Sequence, residues 1–125
     1  MILSIVINTR NRKEMLYDLL KSIDKQKVTF AYEVIVVDDC SDEDYGKEIK
    51  SKFKNLSFIR NEKREFLIKS RNKGWNSAKG EFVFFIDDDN EIHDPNILEN
   101  AVETLKKHSD IGILGCRTYY FDEPD

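Results

Sequence analysis

Cysteine is scarce: the 125 residues hold two, Cys40 and Cys116, without the paired spacing of a zinc site or the density of a disulfide scaffold. A reducing cytoplasm is the simplest reading. Proline and glycine are equally thin, two and five residues, with no stretch rich in either, so no linker or domain boundary is visible. There is no internal repeat. No apolar run approaches the roughly 18 residues that span a bilayer. Met1 to Ile7 is apolar, but it is broken by Ser4 and has no basic leader, so neither a signal peptide nor a transmembrane segment is read. An excess of one charge is also missing: 24 acidic and 20 basic residues are mixed along the chain, giving a net charge of -4 and no stripe for a polyanion. Nucleic acid is excluded as a partner on that ground.

What remains is one domain's worth of chain, with 40% apolar residues, eight Phe and five Tyr to fill a single core. Leu3 to Ile7, Glu33 to Asp38, Leu56 to Arg60, Phe82 to Ile86 and Ile111 to Cys116 are short β-branched or aromatic runs, the pattern of strands buried on both faces. Between them, Leu16, Leu19, Leu20 and Ile23 recur at helical spacing, as do Ile97, Leu98, Ala101, Val102 and Leu105. Alternating strand and helix predicts an α/β fold, a mostly parallel sheet with helices on both faces. Ligands of such sheets bind beyond the carboxyl ends of the strands. Three polar segments follow strands directly: Asn8 to Arg12, Asp38 to Asp42, and Asp87 to Asn90. They are expected to meet at one sheet edge.

Each segment has a chemical and a bland reading. Asp87, Asp88 and Asp89 repel one another unless solvent or a hard divalent cation relieves them; the bland reading is a solvated turn, with Asp94 capping a helix that starts at Pro95. Asp39 is placed to accept from a ring N–H or sugar hydroxyls, whereas Ser41 or Asp42 can cap a helix over 45–53. Arg71 interrupts the apolar stripe of Leu67, Gly74, Trp75 and Ala78. It meets either an anion such as a diphosphate or an intramolecular acid.

In order, Ser4 to Arg12, Ile35 to Asp42, Ser70 to Gly74 and Ala78 to Asp89 resemble the family 2 glycosyltransferases, over nearly the whole chain. The resemblance implies the GT-A (Rossmann-like) fold and residues 1–125 as a nucleotide-sugar-binding domain. It further implies transfer with inversion from a nucleoside-diphosphate sugar, UDP-linked by preference, using Mn2+ or Mg2+. By position, Thr9 and Arg10 border base and ribose, with Asn11 counted in the donor set. Asp39 accepts from the base, and Arg71 lies near base or diphosphate. Asp87 or Asp88 binds ribose or metal-bound water, and Asp89, with Asp87, ligates the metal. The chain departs from the family at Asn8, commonly proline, and at Phe66, commonly glycine. The catalytic base is expected beyond Asp125, in a longer protein. The acceptor is a saccharide, a lipid-linked sugar or a protein, and the location cytoplasmic, with attachment to the inner face of the membrane through residues outside this chain.

The rivals are a receiver-like phosphoacceptor domain, which Asp38-Asp39 and Asp87 imitate, and a non-catalytic nucleotide-binding module. Nucleotidyltransferases and dinucleotide-binding dehydrogenases need a glycine-rich phosphate loop after the first strand, and Asn8 to Arg12 has no glycine.

Overall fold

A computed structural model describes residues 1–120. Four strands, β1 (Leu3–Thr9), β2 (Tyr32–Asp38), β3 (Leu56–Arg60) and β4 (Phe82–Asp87), alternate with four helices, α1 (Lys13–Asp24), α2 (Gly46–Lys52), α3 (Phe66–Ser77) and α4 (Ile97–Lys107). The strands form one parallel sheet in the order β3-β2-β1-β4. Central β1 and β2 are the most buried strands, covered on both faces, whereas the apolar run of β4 at the sheet edge is only half-buried.

Period-two alternation divides the core. Leu3, Ile5 and Ile7 of β1, with Val34 and Val36 of β2, face the stripe Leu16, Leu19, Leu20 and Ile23 of α1, Ile49 of α2, and Leu98 and Val102 of α4. Every residue of the α1 stripe is buried, each contributing roughly 1.5–3 kcal/mol. Val6, Ile35 and Val37 point the other way, into a smaller cluster with Ile59, Val83 and Phe85. On that face α3 lies across β1 and β2. It approaches closely because residue 74 is glycine: a Cβ there would sit 2.4 Å from Val6 Cγ1. Helices therefore cover both faces of the sheet.

Three local expectations fail. Residues 111–116 form no strand, and Ile113 is 92% exposed. Gly112 and Gly115 weaken the run as a strand, and no neighbouring strand pairs with it among the described residues. Helix α4 starts at Ile97 rather than at Pro95, and Asp94 is not its cap: Asp94 Oδ1 accepts the Asn96 N–H at 2.9 Å in the preceding turn. Ser41 and Asp42 do not cap α2, which is flanked by Tyr45 and has no side-chain cap.

The register fixes which chain ends meet. Thr9 pairs with Asp38, Asp38 with Arg60, and Asn8 with Asp87. The polar segments after β1, β2 and β4 thus emerge side by side. Strand order reverses between β1 and β4, so the crevice where such sheets bind ligands opens beside Asn8 and Asp87. A receiver domain orders its strands 2-1-3-4-5; here β2 separates β1 from β3, which removes that rival on topology.

Candidate functional site

At this edge a cleft of about 520 Å³ is lined by Asn8, Thr9, Arg10, Arg12, Asp39, Arg64, Phe66, Leu67, Ser70, Asp87, Asp88 and Asp89. Of the residues singled out in the sequence, Thr9, Arg10, Asp39, Asp87, Asp88 and Asp89 lie in it. Arg71 stands beside it and reaches Asp87, Nη2 to Oδ1, at 3.0 Å. The intramolecular reading of Arg71 therefore holds in this state. Asn11 lies outside the lining. Its Nδ2 donates to Asp42 Oδ2 and its Oδ1 accepts the Asp42 N–H, stapling the β1 loop to the β2 loop.

Asp39 is buried, and four donors converge on it, the Ser70 hydroxyl among them. Oδ1 accepts from the Glu65 N–H at 2.6 Å and Asn61 Nδ2 at 3.0 Å; Oδ2 accepts from the Phe66 N–H at 2.8 Å. Burial pushes its pKa up, but these hydrogen bonds outweigh burial and hold it below the ordinary carboxylate value. The Ser70 hydroxyl also bonds this carboxylate, and Asp39 thereby ties the end of β2 to the start of α3 at the wall of the cleft. Arg10 Nη1 secures the same loop from below, donating to the carbonyls of Asp39 at 2.8 Å and Cys40 at 2.6 Å.

The three consecutive aspartates differ sharply. Asp88 is 5% exposed, and burial raises its pKa against the pull of Thr9 and Arg12. Asp87 and Asp89 have side chains 61% and 51% exposed. Arg12 Nη1 lies 3.1 Å from Asp88 Oδ1 and 3.4 Å from Asp89 Oδ2, and the Asp88 contact raises the arginine's pKa. Asp94 and His93 belong to the following turn and not to the lining.

Phe66 has φ 64°, the left-handed region that glycine occupies freely. For a bulky residue this conformation costs about 1–2 kcal/mol. The position is the one at which the sequence departs from the family's glycine. The departure at Asn8 leaves Oδ1 buried without a partner among the described residues, while Nδ2 donates weakly to the Leu67 carbonyl at 3.4 Å.

Sequence reasoning missed four structural members. Arg60 pairs with fully buried Asp38 at 2.7 Å and donates to the Ser41 carbonyl at 2.6 Å. Asn61, 1% exposed, joins Asp39, Ser70 and Lys73. Arg12 and Arg64 complete the cleft. Arg60 alone carried a signal, as a charge ending an apolar strand. A second cavity, also about 520 Å³, is lined by Arg60, Glu62, Lys63, Glu65 and Lys73. Its Arg60 and Lys73 are already paired with Asp38 and Glu65, and it lacks the convergence of strand ends.

The donor set fits a divalent cation in one way only. Among the described residues no three His, Cys, Asp or Glu side chains converge into a cage. Asp87 and Asp89, half exposed at the cleft, suit an ion held by one or two carboxylates with substrate phosphates completing the shell.

A parallel sheet in this order, with acidic and basic residues at its switch point, has the GT-A architecture. The chain belongs to glycosyl transferase family 2, whose model matches residues 4–125. An uncharacterized glycosyltransferase of Haemophilus influenzae is 34% identical over 112 residues, covering 90% of this chain and 37% of that protein. The dolichol-phosphate mannosyltransferase of Pyrococcus furiosus is 33% identical over 113 residues, covering 88% and 32%. The crystal structure of S. aureus TarS 1-349 in complex with UDP superposes with a TM-score of 0.77 at 30% identity, covering 98% of this chain and 40% of that one. The chain thus spans about a third of the length of these two curated relatives.

Proposed function

We propose that residues 1–125 form the nucleotide-sugar donor site of a glycosyltransferase that moves a sugar from a UDP-linked donor to an acceptor with inversion. The observation that carries this reading is the convergence of Thr9, Asp39 and Asp87 to Asp89, from three strand ends, in one cleft at the switch point. The likeness to TarS, crystallised with UDP and with UDP-GlcNAc, supports the choice of donor.

In this reading Thr9 and Arg10 border base and ribose, and Asp39 accepts from the base. Arg71 and Arg12 are the cations beside the aspartate turn, each able to exchange an exposed carboxylate, Asp87 or Asp89, for a phosphate oxygen. Asp89, with Asp87, would hold Mn2+ or Mg2+, which would supply charge neutralisation and orientation of the departing diphosphate. Asp88, the buried one of the three, anchors Arg12, and Asp87 and Asp89 are the exposed pair. The proton of the acceptor hydroxyl goes to a base that we place outside residues 1–125. The two unpaired cysteines, Cys40 and Cys116, favour a cytoplasmic site. Among the described residues no helix is long and apolar enough to cross a membrane.

Calorimetric titration of uridine diphosphate with and without manganese tests the reading. Metal strengthens binding to the parent, and Asp89→Ala removes that strengthening without lowering the thermal midpoint, because Asp89 makes only exposed contacts, with Arg12 and with Asn90 Nδ2. Metal-independent binding by the parent, or unchanged metal dependence in the variant, overturns the assignment of Asp89.

A further inference from the structure

We infer that Phe66, backed by Arg64, is the platform on which the nucleobase of the donor stacks, an inference that rests on the donor-site reading above. Phe66 belongs to neither core cluster, and it is 61% exposed although it lines the cleft. A strained left-handed backbone at a position that glycine fills without strain, carrying an exposed ring, is not explained by packing. Trp75, exposed to a similar degree, is explained by packing: it stacks on Phe85 at 5.8 Å and 9°.

The ring's position is fixed relative to the acceptor that faces the base. The Phe66 N–H donates to Asp39 Oδ2, and the Glu65 N–H to Oδ1, so the residue that reads a ring N–H and the residue that offers a π-face share one hydrogen-bonded unit. Arg64 lies over the phenyl ring at 4.4 Å and has no carboxylate at ion-pair distance among the described residues. It covers one face of the ring through a cation–π contact, which leaves the opposite face to a planar ligand. Because every base has a π-face, stacking supplies affinity with little discrimination, and selectivity is left to hydrogen bonding at Asp39.

The test compares Phe66→Leu, Phe66→Tyr and Phe66→Gly in the full chain, titrated with uridine diphosphate and with inorganic pyrophosphate in the presence of manganese. Phe66→Leu weakens uridine diphosphate by about tenfold or more and leaves pyrophosphate unchanged, while Phe66→Tyr binds as the parent does. Phe66→Gly raises the thermal midpoint, because the left-handed strain is gone, yet loses the same affinity; a merely structural residue does not separate the two. Parent-like binding of uridine diphosphate by Phe66→Leu, or an equal loss for both ligands, overturns the platform alone. Failure of the parent to bind uridine diphosphate overturns the donor-site reading and the platform with it.

Discussion

Asp39→Asn keeps the shape of the side chain and replaces one carboxylate oxygen with an NH2 group. The N–H groups of Glu65 and Phe66, Asn61 Nδ2 and the Ser70 hydroxyl now face one acceptor and one donor. If the amide oxygen stays toward Glu65 and Asn61, the Phe66 N–H is left facing the NH2 group. Losing a charge-assisted hydrogen bond removes about 1.5–3 kcal/mol, and an unsatisfied buried donor adds about 1–3 kcal/mol. Partial relaxation makes about 3 kcal/mol the expected loss. Urea unfolding of both proteins at pH 7 measures it, and faster amide exchange at Glu65 and Phe66 localises it. The pH dependence supplies an independent sign. Asp39 is held below its ordinary value of 3.8 when folded, so its contribution is fully present above that value and is lost as pH falls through the folded pKa. The gap between parent and variant is therefore constant from about pH 6 upward and closes below about pH 4. A loss under 1 kcal/mol at pH 7, or a gap that widens on acidification, refutes the reasoning.

Two further substitutions probe what holds the cleft. Gly74→Ala drives a methyl group into Val6 Cγ1 at 2.4 Å and Val37 Cγ2 at 3.3 Å, lifting α3 from the sheet, with an expected destabilisation of about 1–3 kcal/mol in urea unfolding. Arg60→Met removes the partner of fully buried Asp38, whose remaining bonds come from Ser41; the expected loss is about 3 kcal/mol, and the double variant Asp38→Asn with Arg60→Met recovers most of it in the same assay.

Four strands and the α1 stripe were legible in sequence because burial on both faces demands unbroken apolar runs, and burial on one face demands helical spacing. The same rule misled at Ile111 to Cys116, since an apolar run becomes a strand only beside a partner. The meeting of the polar segments at one edge was legible from their place after strands. The pairings inside the cleft were not. Arg12 meets Asp88 across 76 residues and Arg60 meets Asp38 across 22, distances at which composition says nothing of partners. Ser41 looked like a cap because its hydroxyl suits one; in the fold that hydroxyl instead binds Asp38 and accepts the Asn11 N–H, joining the loops after β1 and β2. Only the resemblance marked residue 66 as left-handed, through the glycine common at that position in the family, since phenylalanine itself rarely adopts that conformation.

The charges of the cleft sort into those already answered within the fold and those left over. Asp38 has Arg60, and Asp39 has the N–H groups at the start of α3. The aspartates after β4 have Arg71 at Asp87 and Arg12 shared between Asp88 and Asp89. These three carboxylates outnumber the two guanidiniums by one, but Arg10 and Arg64 line the same cleft without a carboxylate partner among the described residues and offset that excess together with the charge of Asp39. The cleft is therefore balanced as a whole and divided within: carboxylates gather after β4, and Arg64 stands near the start of α3. On the donor-site reading proposed above, Asp87 and Asp89 would take a divalent cation whose shell phosphate oxygens complete. Metal and nucleotide would then bind with positive coupling, and that coupling would weaken as ionic strength rises, because both aspartates are open to solvent.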